Sequence, residues 1–223
     1  MSIFWYNCFM DSYASETIKL YGKDGWKKWF AYWRFWAAPY ILVEKMIPPK
    51  GVVVELGCGE GLFSNFVAQH SSDRKVIGIE LDKERVSIAH KGLKNTKFKA
   101  ANAVTSTLPS SDCIVMFHLL HHLKGQDDQD LIIKNAAKSL RKGGKIIIVE
   151  IDKDNSLKYY FTSFWDHFVV AWVFEKHLYQ PDIHFRSQEG WKKLFKSLKL
   201  KVNTTKYHRG MPFNHIIYEL SSF

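Results

Sequence analysis

The sequence predicts an α/β fold built on a parallel sheet with helices on both of its faces. Two observations carry this. Five short runs of strand length fall between residues 52 and 151, and stretches of helical length or tight turns separate them. Most of the runs are apolar at successive positions, which suits strands buried on both faces.

The elements follow in order. Val52-Val53-Val54-Glu55-Leu56 is the first strand, followed by a glycine turn and a helix over Leu62–Gln69. Val76-Ile77-Gly78-Ile79-Glu80 is the second, with a helix across Lys83–Gly92, and Phe98–Ala101 is the third. Cys113-Ile114-Val115-Met116-Phe117 is the fourth, with a helix over Gln129–Leu140. Lys145–Ile151 is the fifth, reached through the turn Lys142-Gly143-Gly144. Ligands of such sheets bind outside the carboxyl ends of the strands. Attention therefore goes to residues just past each strand.

The first such place is Glu55-Leu56-Gly57-Cys58-Gly59-Glu60-Gly61. Alternate glycines let a backbone approach a ligand closely. The dinucleotide fingerprint G-x-G-x-x-G occupies the same kind of turn. Started at Gly57, it demands glycine at position 62, where Leu62 stands; the spacing here is acid-x-G-x-G-x-G. Downstream, Glu80 closes the second strand, placed to accept hydrogen bonds from both hydroxyls of a ribose. Asp82 lies on the same face of an extended strand and is the alternative, but it also suits an N-cap for the next helix.

Val52–Ser64 (VVVELGCGEGLFS), Val76–Asp82 (VIGIELD), Phe98–Ala103 (FKAANA), Asp112–Leu123 (DCIVMFHLLHHL) and Leu140–Glu150 (LRKGGKIIIVE) resemble, in order and spacing, the successive motifs of class I S-adenosylmethionine-dependent methyltransferases. The resemblance covers about half the chain and is specific for the family, not for the acceptor. It implies a Rossmann-like, seven-stranded, mostly parallel sheet whose last strand is antiparallel and inserted. It implies S-adenosylmethionine as cofactor, with Gly57, Cys58, Gly59 and Gly61 lining methionine and ribose and Glu55 near the methionine ammonium. Glu80 would hold the ribose, Leu81 would pack on adenine, and Asn102 with Ala103 would read the adenine edge. Many relatives carry aspartate where Asn102 stands; an amide carbonyl still accepts from an adenine amine.

His118, His121 and His122 follow the fourth strand. His118 and His121 are candidates for taking a proton from an oxygen or nitrogen acceptor, and His118 also for touching the cofactor. The competing reading is a turn whose histidines satisfy backbone and pack a helix start, which fits His122. No metal is expected, since no carboxylate or cysteine stands at a supporting spacing. A strong base is not required, because a sulfonium is an activated donor and alignment supplies much of the rate.

Aromatic flanks enclose this core. Residues 1–46 hold five of the eight tryptophans and are read as an amino-terminal helical cap on a domain spanning 47–223. Trp26, Trp29, Phe30, Trp33, Trp36 and Tyr40 fall at helical spacing on one face, with Lys27, Lys28 and Arg34 elsewhere. Such a stripe docks on the domain, or it forms a lid or a membrane contact, and the two roles are compatible. A second stripe, Tyr159-Tyr160-Phe161, Phe164-Trp165, Phe168 and Trp172, lies in a cap insertion at about 153–190, where the family places acceptor-binding elements. Trp29, Trp33, Tyr40, Arg186 and His215 are the acceptor-site candidates. A helix from Trp191 and strands over Leu200–Lys206 and His215–Leu220 complete the fold. The tail RGMPFNHIIYEL, with the LHHL turn, is similar to a bacterial methyltransferase subgroup associated with lipid or polyene biosynthesis.

Composition narrows the function further. Apolar residues make up 46% and charged residues 24%, an ordinary globular balance. Three cysteines without metal spacing (Cys8, Cys58, Cys113) point to a reducing, cytoplasmic setting, and no run is long enough to span a bilayer. The net charge of +10 favours an anionic contact, either a peripheral membrane surface or nucleic acid. The expected function is methylation of a small hydrophobic or amphipathic, lipid-like or aromatic acceptor, with oxygen favoured over carbon or nitrogen. RNA methylation is the first alternative, against which stands the lack of a recognisable RNA-binding module. A non-catalytic regulatory protein that binds S-adenosylmethionine is the second.

Overall fold

The computed structural model describes residues 12–22, 25–153, 158–160, 183–207 and 213–222, with every side chain there except those of Trp26 and Lys27. The chain divides into two compact units, Met1–Ala101 and Asn102–Phe223.

In the first unit, helices α1 (Ser12–Leu20), α2 (Gly25–Ala37) and α3 (Tyr40–Glu44) precede β1 (Gly51–Leu56), α4 (Leu62–His70), β2 (Arg74–Glu80), α5 (Lys83–Ala89) and β3 (Thr96–Ala100). β1 pairs in parallel with β2, Val54 opposite Ile77, and β2 with β3, Gly78 opposite Phe98. Every residue of α4 from Leu62 to Ala68 is buried, so this helix is the centre of the unit's core. Phe35 of α2 meets Phe66 edge-on at 5.0 Å, and Tyr40 tilts against Phe63 at 5.0 Å. The buried residues of α2 are thus Ala31, Phe35 and Ala37, continued by Ala38 just past the helix, while Trp29 is 52% and Trp36 40% exposed. Those two tryptophans of the predicted stripe stand mainly toward solvent; small residues beside one phenylalanine are what permit close helix approach. Buried Arg74 donates to Glu44 Oε1 at 2.6 Å and to the carbonyls of Ile47, Pro48 and Val67, fastening the linker before β1.

In the second unit, β4 (Ser111–Phe117) leads through a 3-10 turn (Leu120–His122) to α6 (Gln126–Ser139) and the long β5 (Leu140–Ile151). Then come α7 (Gln188–Ser197), β6 (Leu200–Tyr207) and β7 (His215–Ser222). β4 and β5 are parallel; β7 runs antiparallel between β5 and β6. The predicted turn at Lys142–Gly144 lies within β5, beside a register shift at Ser111/Cys113. A β-carbon on Gly144 would come within 3.0–3.2 Å of the carbonyls of Arg141, Asp112 and Ser111, so glycine is required by backbone approach. α7 buries Trp191, Leu194 and Phe195, and Phe195 packs edge-on to Tyr218 of β7.

The seven strands form one mostly parallel sheet in the order β3-β2-β1-β4-β5-β7-β6. This is the Rossmann-like α/β architecture, with the inserted antiparallel strand. Phe161, Phe164, Trp165, Phe168 and Trp172 of the second aromatic stripe lie outside the described residues, as do Arg209–Pro212 of the β6–β7 connection.

Candidate functional site

In the first unit the glycine turn leaves β1 and is fixed by main-chain bonds to the end of β2. Gly57 N and Cys58 N both donate to Ile79 O, at 2.8 and 3.1 Å. Gly59 N donates to Glu80 Oε2 at 2.9 Å, while Leu81 N and Asp82 N donate to Glu80 Oε1 at 2.8 and 3.1 Å. The Glu80 carboxylate therefore joins the two loops that close the strand ends. Asp82 accepts from Glu84 N and Arg85 N, the N-cap role foreseen as its alternative.

The glycines of the turn divide their work. At φ 53, Gly59 has only open space where a β-carbon would stand, a cradle for a ligand's close approach. Gly61, at φ 75, has Ala89 Cβ at 2.7 Å and Phe98 at 2.8 Å in that place, so its missing side chain also serves packing. Leu81 is 70% exposed at the end of β2, an apolar surface without cover. Buried Glu55 accepts from Ser64 Oγ at 2.5 Å, and burial pushes its carboxyl up to about 8. A carboxyl held neutral this way ionises once a cation arrives beside it. Cys58 is buried, and burial raises its thiol, so it offers shape and not nucleophilicity. These features fit a ligand with an ammonium, a ribose diol and a flat apolar base.

Tyr40 is buried, its hydroxyl accepting from Arg34 Nε and Nη2 at 3.2 and 3.0 Å. Trp33 is half-buried and stacks with Phe30 at 6.1 Å.

In the second unit Asn102 Oδ1 accepts from Val104 N at 2.9 Å, so the amide orients its own loop. The rest of its hydrogen-bonding capacity suits a base edge. Past β4, His118 sits at φ 50, a left-handed conformation uncommon for a residue with a β-carbon, and its N–H donates to Val149 O. Its ring stacks on that of buried His215 of β7, 5.0 Å between centroids and 16° apart. His121 is 2% exposed, and its Nδ1 lies 2.5 Å from Glu150 Oε2. Glu150, buried at the end of β5, also accepts Leu120 N at 2.9 Å. The ring of His121 stacks on Phe185 at 5.0 Å, and His122 lies 4.2 Å from it. His184 N donates to His121 O at 2.8 Å, and Gln129 Nε2 bridges the carbonyls of Leu120 and His184. Two residues past Glu150, buried Asp152 accepts from Gln188 Nε2 at 2.5 Å and pairs with Lys206 at 3.2 Å. Arg186 pairs with Asp130 at 2.5 Å and lies over the Trp191 ring at 5.0 Å.

The structure thus brings His118, His121 and His215 into one polar cluster and sets Arg186 on a neighbouring ion pair. Glu150, Gln129 and Asp152 had no role in the sequence reading. The signal for Glu150 and Asp152 was present, as acids closing a wholly apolar strand; for Gln129 there was none. Among the described residues no group of three histidine, cysteine or acidic side chains is arranged to hold a metal ion. None of the described helices is long and apolar enough to cross a membrane.

Comparison with known proteins agrees with this geometry. The family described as Methyltransferase domain matches residues 34–204. An uncharacterized methyltransferase of Bacillus mycoides is 27% identical over 185 residues, 82% of this chain and 74% of that protein. The ubiquinone biosynthesis O-methyltransferase of Coxiella burnetii is 27% identical over 119 residues, 50% of this chain and 49% of that protein. Among solved structures, magnesium protoporphyrin IX methyltransferase from Synechocystis, with bound S-adenosylhomocysteine, superposes with a TM-score of 0.64 at 14% identity over the whole of both chains.

Proposed function

The chain belongs to the methyltransferase-domain family as an S-adenosylmethionine-dependent enzyme, and from that premise we propose that it methylates an oxygen of a small hydrophobic or amphipathic acceptor. When bound, S-adenosylmethionine supplies a methyl group activated on a positively charged sulfur.

Glu55 is assigned to the methionine ammonium, whose charge would draw the buried carboxyl into its ionised form. Gly57, Cys58, Gly59 and Gly61 are assigned to the close main-chain approach, Glu80 to the ribose hydroxyls, and Leu81, Asn102 and Ala103 to adenine. The acceptor reading is carried by one observation, the buried His121–Glu150 pair at 2.5 Å. A carboxylate on Nδ1 fixes the tautomer that carries its proton there and leaves Nε2 as the basic nitrogen. His121 is therefore assigned the acceptor's hydroxyl proton, and His118 a contact beside it. A phenol or hydroxyl needs such a group when its oxygen attacks, whereas an amine can lose its proton afterwards. The relative named for ubiquinone biosynthesis supports a lipid-like aromatic acceptor.

Residues 1–46 are taken as a cap on the domain at 47–223, with the insertion at about 153–190 as a second cover. Trp29, Trp33, Tyr40, Arg186 and His215 would border the acceptor. Exposed Trp29 and Trp36 beside exposed Lys28 suit a peripheral contact with an anionic membrane that holds such an acceptor.

The test is a turnover screen with labelled methyl donor against phenolic, lipid and RNA pools. Label is expected in a phenolic or lipid hydroxyl. Label confined to RNA overturns the acceptor reading, and label in no pool with S-adenosylhomocysteine still binding supports a regulatory protein instead.

A further inference from the structure

We propose that Tyr21, which lies 39 residues before Glu60 of the glycine turn in sequence, is a positioning residue for the cofactor loop. Tyr21 directly follows α1 and is 4% exposed. Its hydroxyl donates to Glu60 O at 2.8 Å and accepts from Asn65 Nδ2 at 2.9 Å. Asn65 Nδ2 also lies 2.9 Å from Gly61 O and 3.0 Å from Ala89 O. Glu60 stands between left-handed Gly59 and Gly61, and the peptide unit joining it to Gly61 is held at both ends. Tyr21 holds its oxygen, and its N–H donates to Cys58 O at 2.8 Å.

A phenylalanine would fill the same space as Tyr21 without burying a hydroxyl. Burying that hydroxyl is favourable only if its hydrogen bonds are made, and the one it donates goes to the turn. β2 fastens the turn at Gly57, Cys58 and Gly59; Tyr21 and Asn65 fasten it at Glu60 and Gly61. Gly59, held by its own N–H on Glu80, is the residue whose missing side chain leaves the backbone open to a ligand. A loop fixed on both sides of its contact point loses little freedom on binding, and that raises affinity. α1 is itself docked on α4, where Thr17 Oγ1 donates to Gln69 Oε1 and Tyr13 tilts against His70 at 4.2 Å. The amino-terminal helix therefore reaches the cofactor loop through one phenol.

The inference rests on reading this turn as the cofactor loop, and the test separates the two. S-adenosylhomocysteine is titrated calorimetrically into the full chain and into Tyr21→Phe, Thr17→Val and Gly59→Ala, each with its melting temperature. Thr17→Val disturbs the docking of α1 without touching the turn. Tyr21→Phe is expected to weaken binding by about 5–20-fold, the span of one buried hydrogen bond, and Thr17→Val by no more than about twofold at a similar loss of melting temperature. If Gly59→Ala weakens binding and Tyr21→Phe does not, the clamp is overturned and the loop assignment stands. If the two helix variants weaken binding in step with their melting temperatures, Tyr21 is core and the clamp is likewise overturned. If Gly59→Ala also binds normally, the loop assignment falls, and the clamp with it.

Discussion

Where β1 and β2 end, in the first unit, the polar groups around the candidate site are mostly main chain: the amides of Gly59, Leu81 and Asp82 gathered by the Glu80 carboxylate, and those of Gly57 and Cys58 by the Ile79 carbonyl. Where β4 and β5 end, in the second, they are side chains: buried His121, Glu150, Asp152 and His215, with half-buried His118. The contrast follows from what each would meet. A cofactor common to a family is well served by backbone geometry, which depends on glycine spacing and tolerates change elsewhere. An acceptor particular to one enzyme requires side chains, and their placement depends on packing around them.

The largest expected effect lies on the side-chain half. His121→Gln keeps a donor for Glu150 but no base, and should lower turnover on the true acceptor by about 10²–10⁴-fold with S-adenosylhomocysteine affinity unchanged. Turnover near normal would make the histidine cluster structural, and the two halves would then differ only in composition. On the main-chain half, Glu80→Ala should weaken S-adenosylhomocysteine binding by about 1.5–3 kcal/mol, as expected for bonds to a charged group. Asp82→Ala should instead cost about 0.5–2 kcal/mol of stability through its lost cap, measured by denaturant midpoint, and leave affinity alone. Were the two phenotypes exchanged, the ribose assignment would move to Asp82.

Gly61→Ala separates packing from binding within the turn itself. Its new β-carbon would lie 2.7 Å from Ala89 Cβ, and about 1–3 kcal/mol of stability should be lost. A variant as stable as wild type would mean that α5 and Phe98 yield freely.

A further test is the pH dependence of Glu55. Its carboxyl in the folded, ligand-free chain is pushed up to about 8, above the ordinary 4.5, because burial disfavours the charged form. The folded state therefore holds a proton that the unfolded state has released between those values. Its stabilising contribution is complete below about pH 4.5 and is lost as pH rises through about 8. Glu55→Gln is neutral throughout, so its stability relative to wild type should rise between pH 5 and pH 9, by at most about 1.4 kcal/mol per pH unit. Parallel melting curves for the two chains across that range would show that Glu55 is charged in place.

Much of the first unit could be read from residue order. The acid-x-G-x-G-x-G spacing, a strand-closing Glu80 and the cap at Asp82 are local patterns, each set by neighbours a few residues away. The inserted antiparallel last strand was foreseen only through the family resemblance, because which strands become neighbours is not a local property. The face of α2 was not. Periodicity marked one aromatic stripe, but Phe35 is the side chain that meets Phe66 of α4, and aromatic residues spread round most of the helix leave several faces that could be buried.

By itself, the sequence determined the fold class and the family, because backbone turns, strand periodicity and motif spacing are short-range properties. Only the tertiary structure decided that Glu150 meets His121, that His118 lies against His215, and that Tyr21 reaches Glu60. Those partners stand 29, 97 and 39 residues apart. A buried polar pair is favourable only when both groups lose water together, and which two meet is settled by the sheet and helices that carry them.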